Sequence, residues 1–136
     1  MFAPLIYIST WKIKEGRLED FEQFTRKIVK LIQEKEPQLI AFNVFLNEEQ
    51  TEMTSIQIHP DADSMDFHMQ VVNDILGEEM NDWVERADFI EPLSFEICGA
   101  PSTALLEADQ PAVEAGIPRR IKPLRVAGFI RSSASR

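Results

Sequence analysis

At 136 residues, with 44% hydrophobic and 27% charged side chains, the chain has the length for one globular domain with a real core and not for two. No apolar run approaches the roughly 20 residues of a membrane span, and the opening MFAPLIYIST lacks the basic region and cleavage site of a signal peptide. Cys98 is the single cysteine, which excludes an internal disulfide and leaves a cytoplasmic address as the default.

The net charge of −9 is unevenly spread. Residues 1–99 hold 8 Lys/Arg against 20 Asp/Glu, while residues 100–136 hold 6 against 3. An acidic domain repels nucleic acid and anionic lipid, so neither is expected as a partner. The basic tail is the one stretch where such a partner would dock, or it folds back on an acidic surface of its own or a partner subunit.

In chain order, Leu5 to Lys14 reads as a strand rich in β-branched and aromatic residues, apolar on both alternating faces. Glu15-Gly16 turns the chain into a helix from about Arg17 to Glu34. Its apolar positions Leu18, Phe21, Phe24, Ile28, Leu31 and Ile32 step by threes and fours along one stripe, and Pro37 stops it. Leu39 to Leu46 and Thr51 to His59 form a hairpin across the polar turn 47–50. On the second of these strands Thr54, Ile56 and Ile58 share one face, and Ser55, Gln57 and His59 the other.

Asp61, Asp63 or Ser64 caps a second helix. Its stripe is Met65, Met69, Val72, Leu76, Met80 and Trp83, reaching about Arg86 with a kink or break at Gly77. Leu93 to Cys98 is a fourth strand. Residues 100–136 form a basic, Pro-containing extension in which Ala104 to Ala108 reads as one short helical turn. There Leu124 to Arg131 reads as a late strand, and Ser132 to Arg136 as a frayed end.

The order β-α-β-β-α-β is the ferredoxin-like α+β unit, two helices on one face of a four-stranded antiparallel sheet. Aromatic residues of the first strand, with Phe95 or Cys98 on the last, are candidates for the other face. An apolar sheet face without helices predicts a two-fold homodimer, sheet against sheet.

The run IYISTWKIKEGRLEDFEQFTRKI resembles the first strand, Gly-containing turn and amphipathic helix of the antibiotic-biosynthesis-monooxygenase-like proteins. EKEPQLIAFNVF is similar to their helix end, with Gln38 where Gly is usual. IQIHPDADSMDFHMQ resembles their third strand and the start of the second helix, where an Ala-x-x-x-His pattern is frequent and the matching residues are Asp63, Ser64 and His68. The resemblance covers roughly residues 4–100. It implies a dimeric α+β barrel with a pocket between sheet and helices in each subunit. It also implies oxidation of phenolic or quinol-type substrates by O₂ without metal or flavin, although other members cleave haem and some have no known activity. Two departures stand out. His59 occupies the strand end where these proteins often carry Trp, and Ser9, Thr10 or Tyr7 stands where they often use a polar residue such as Asn.

Cofactor-free oxygenation needs a base, donors for the substrate anion and an apolar pocket. His68, beside the apolar stripe of the second helix, is the candidate base; otherwise it is a boundary histidine touching water. Tyr7, Trp11, His59, Met65 and Met69 are the candidate substrate-binding residues, each with an alternative reading as core, interface or solvated strand end. The two histidines have no metal-ligand spacing, so no metal and no cofactor is expected. The leading reading is a homodimeric, cofactor-independent monooxygenase for a small aromatic molecule. The alternatives are a haem-binding or haem-degrading protein with His68 as axial ligand, and a non-catalytic ligand-binding or interaction module.

Overall fold

The computed structural model describes residues 3–84 and 88–131. Strand β1 (Leu5–Ile13) leads into helix α1 (Leu18–Lys35), which buries Phe21, Ile28 and Ile32 from the expected stripe. Strands β2 (Ala41–Leu46) and β3 (Glu52–His59) form the hairpin. Its turn is closed by the Asn47 side chain, whose Oδ1 accepts from the backbone N–H of Thr51 and Glu52 at 2.8 and 2.9 Å.

Helix α2 (Ala62–Asp74) is capped by Asp61, which accepts from the Ser64 N–H at 2.8 Å. The helix then widens into a π turn over Ile75–Glu79, where the Met80 N–H reaches back to the Ile75 carbonyl, before the short α3 (Asn81–Val84). Gly77 thus sits in a change of helical pitch. The expected helix end at Arg86 lies outside the described residues. Strand β4 (Ile90–Cys98), helix α4 (Thr103–Glu114) and strand β5 (Arg119–Lys122) complete the chain.

The fold is α+β, with sheet order β2-β3-β1-β4-β5 and antiparallel pairing except for the parallel β4–β5 edge. Two expectations for the extension are corrected. The single helical turn at Ala104 to Ala108 is a 12-residue helix capped by Ser102, with Pro111 carried on its exposed side. The late strand is Arg119–Lys122 and not Leu124 to Arg131, which runs beyond the sheet with Leu124, Val126 and Phe129 exposed. The residues expected to fray, Ser132 to Arg136, lie outside the described residues. Among the described residues no helix is long and apolar enough to cross a membrane.

The two sheet faces divide the polar residues in an unusual way. Ser9, Ser55, Gln57 and His59 are buried on the inner face, under the helices, beside Leu5, Tyr7, Phe95 and Ile97. Ile6, Ile8, Ile56 and Ile58 are only half-buried on the outer face, with Cys98. Phe95 is therefore corrected to the inner face, at 5% exposure. Polar side chains placed under helices must find partners or face a cavity. The β1–β4 register slips between Thr10 and Trp11, where β4 carries Leu93 as an extra residue, and Trp11 packs against both halves of the core.

Candidate active site

A cleft of about 510 Å³ opens between the inner sheet face, α2 and α4. Its floor is Tyr7, Ser9 and Trp11 of β1 with Gln57 of β3, and its walls include Met65, His68 and Met69 of α2 and Leu105 and Asp109 of α4. Alternation along β1 points Tyr7 and Ser9 to the same side. Spacing of three and four along α2 aligns Met65, His68 and Met69. The structure thus brings Tyr7, Trp11, Met65, His68 and Met69 to one cleft.

At one end lies a buried pair. His68 Nδ1 donates to the Glu36 carboxylate, at 2.8 Å to Oε2 and 3.0 Å to Oε1. Glu36 closes the C-terminus of α1, its side chain is fully buried, and among the described residues its oxygens bond only His68. In a neutral imidazole this bond fixes the tautomer and leaves Nε2 as the free acceptor. Nε2 has no protein partner among the described residues and is not sealed from solvent, and the ring lines the cleft. Phe42 and His59 flank the His68 ring at 5.7 Å between centroids.

His59 does not line the cleft. It is fully buried beneath, with Nδ1 on Ser64 Oγ at 2.7 Å and Nε2 on Gln57 Oε1 at 2.9 Å. Burial, and then the neighbouring His68, push its pKa down to about 4, so it is a neutral strut holding Gln57 and the start of α2.

At the α4 side, the Tyr7 hydroxyl donates to Asp109 Oδ1 at 2.9 Å. Burial, then the Asp109 charge, raise the phenol well above its ordinary range, and burial likewise raises the Asp109 carboxyl. Tyr7 stacks near Phe95, and Trp11 meets Phe95 edge-on with centroids 6.0 Å apart. Trp83 is buried in the core beside Phe24 and does not line the cleft.

Sequence reasoning missed Glu36 and Asp109. Glu36 carries a signal: a carboxylate at the C-cap of a helix opposes the helix dipole and needs a compensating reason. Asp109 follows Leu105 by four residues, on the buried stripe of a helix that Pro111 disguises.

No family model and no curated protein sequence matches the chain. Solved structures do. MupZ from Pseudomonas fluorescens is 16% identical with a TM-score of 0.68, over 95% of this chain and 91% of its own. SnoaB, a cofactor-independent oxygenase from Streptomyces nogalater whose structure is that of a point mutant, is 12% identical with a TM-score of 0.55, over 74% and 96%. A Bacteroides thetaiotaomicron protein, provisionally assigned as an antibiotic biosynthesis monooxygenase, is 16% identical with a TM-score of 0.51, over 66% and 85%. The chain therefore has the fold of the antibiotic-biosynthesis-monooxygenase-like proteins.

Proposed function

We propose that the chain is a cofactor-independent oxygenase acting on a small phenolic or quinol-like molecule, with His68 as base. The observation that carries this reading is the Glu36–His68 pair at the edge of a partly apolar cleft. His68 Nε2 takes the phenol proton, and the electron-rich anion adds O₂ with formation of a carbon–oxygen bond. The oxygen–oxygen bond then breaks with loss of water, leaving a quinone. Glu36 stabilises the imidazolium formed in the first step, and Tyr7, Trp11, Met65 and Met69 hold the ring and limit water. The fold shared with SnoaB supports the reading. Oxygen uptake against dihydroxy-aromatics and anthrol-like phenols tests it: wild-type uptake, resistant to chelators and lost in His68→Ala, is expected. No uptake on any of them overturns it.

Ser9 favours a second reading. Its hydroxyl lines the same cleft without a protein partner among the described residues. Carboxylate, imidazole and hydroxyl are the groups of a hydrolytic triad. In that case His68 takes the Ser9 proton as the hydroxyl attacks an ester or thioester, an acyl-serine forms, and the alcohol or thiol leaves with that proton. Release of p-nitrophenol from p-nitrophenyl acetate that Ser9→Ala abolishes would establish it; equal rates in both proteins would exclude it.

The working form is proposed as a homodimer. Ile6, Ile8, Ile56 and Ile58, with Phe45 at 58% exposure, make an apolar outer sheet face. The segment 123–131, with exposed Leu124, Val126, Phe129 and two arginines, is proposed to reach the acidic domain of the second copy. A mass near twice 15.6 kDa is expected from light scattering, shifting toward 15.6 kDa when the chain is cut after Lys122. A full-length monomer sinks the dimer, and an unchanged mass after truncation sinks the role of the arm.

A further inference from the structure

The floor of the cleft carries a donor that is held in place and left open. Gln57, on the inner face of β3, is 5% exposed and lines the cleft. Its Oε1 is spent on the fully buried His59, at 2.9 Å from Nε2. Its amide nitrogen has no protein partner among the described residues and is not sealed from solvent. The hydrogen-bond chain behind it fixes the direction. Ser64 Oγ has no other acceptor among the described residues, so its hydroxyl donates to His59 Nδ1 at 2.7 Å. Neutral His59 then carries its one proton on Nε2 and donates it to Gln57 Oε1. The amide N–H groups are thereby turned away from His59 and toward the cleft.

Among the described residues no Lys or Arg lines the cleft, so an anion formed there depends on neutral donors. The Tyr7 hydroxyl is taken by Asp109, and no side-chain partner orients Ser9, Trp11 or Asn73 among the described residues. His59 also ties Gln57 to the base. It bonds Gln57 through Nε2, and its ring centroid lies 5.7 Å from that of His68. The open amide and the proposed base thus share one neighbour and one cleft.

We infer that Gln57 is a catalytic residue whose amide N–H donates to the substrate oxygen that becomes negative when His68 removes its proton. The inference rests on the oxygenase reading and names the group recognised, a free phenolic hydroxyl, since an ether forms no anion. A hydrogen bond that strengthens as charge develops favours the anion over the neutral phenol. A donor already oriented by His59 needs no rearrangement when that charge appears.

The probe is p-nitrophenol, whose anion absorbs in the visible, titrated with pH in the presence of the full-length protein. Bound to the wild type, it is expected to ionise about one pH unit lower than when free. Gln57→Met removes the donor and is expected to abolish most of that shift. Gln57→Glu keeps an acceptor for His59 but turns a carboxylate oxygen to the cleft. It is expected to push the ionisation above that of free p-nitrophenol. Thermal melts establish folding, and one folded variant is enough. A shift of wild-type size in a folded Gln57 variant overturns the inference and leaves His68 as the base. Wild-type binding that weakens in Trp11→Ala but brings no shift also overturns it, and leaves the cleft as a ligand site. No binding overturns both the inference and the phenolic-substrate reading beneath it.

Discussion

Glu36 and His68 stand 32 positions apart in the chain and 2.8 Å apart in space, one at the end of α1 and the other in the second turn of α2. Neither helix alone makes a base. Pro37 ends α1 at the point where Glu36 can turn under α2, and the Asp61 cap fixes where α2 starts and so where His68 projects. The pair exists because two local stop and start signals agree in space.

Replacing Glu36 by Gln keeps the shape and removes the charge that steadies an imidazolium. Turnover is expected to fall on the order of 10²-fold or more, with the change in kcat exceeding that in KM. Steady-state oxygen uptake measures it. An unchanged kcat would mean that His68 works without Glu36, or does not work as a base.

His59 makes stability pH-dependent in the acid range. Its folded pKa of about 4 lies below the unfolded value of 6.5, so between these values the unfolded chain binds the extra proton. Stability is complete above pH 6.5 and is lost as pH falls toward 4, by up to roughly 3 kcal/mol. Urea denaturation at pH 7 and pH 4.5 reads the difference, which His59→Leu should shrink. If the variant keeps the whole acid loss, His59 is not its source.

Phe89 is 1% exposed and meets Phe21 and Phe24 edge-to-face, with centroids 6.4 and 5.2 Å away. Phe89→Ala is expected to cost about 3–5 kcal/mol, the loss for emptying a well-packed aromatic site. Chemical denaturation checks it. A loss below about 1 kcal/mol would show that the core can collapse into the space.

Two glycines should respond in opposite directions to alanine. At Gly99, φ is +108° and an added Cβ would stand 2.5 Å from the Pro4 carbonyl oxygen, so Gly99→Ala is expected to destabilise by roughly 1–3 kcal/mol. Gly77 lies in the π turn with nothing within 4 Å of such a Cβ, and Gly77→Ala is expected to be neutral or stabilising by up to about 1 kcal/mol. Paired melting temperatures decide it, and a shift of the same sign in both would contradict the backbone account.

Sequence alone determined the order of elements as far as β4, because those signals are local. The Leu18-to-Ile32 stripe, the break at Pro37, the hairpin turn at Asn47 and the cap at Asp61 each act within one or two turns of chain. It also placed His68, Met65 and Met69 on one face of α2, since helical spacing needs no tertiary partner.

Only the tertiary structure decided which sheet face meets the helices, and therefore that Ser55, Gln57 and His59 are buried while Ile56 and Ile58 face outward. The alternation is legible in the sequence but its sense is not, because hydrophobicity would have turned β3 the other way. The strand RRIK was hidden for a related reason. Its charged residues carry no strand signature, and it pairs because β4 offers it an edge, whereas the apolar 124–131 joins no strand. Glu36 and Asp109 read as ordinary surface carboxylates until the chain closes over them. Burial and partnership are properties of the assembled fold, and those properties turn a carboxylate into part of a site.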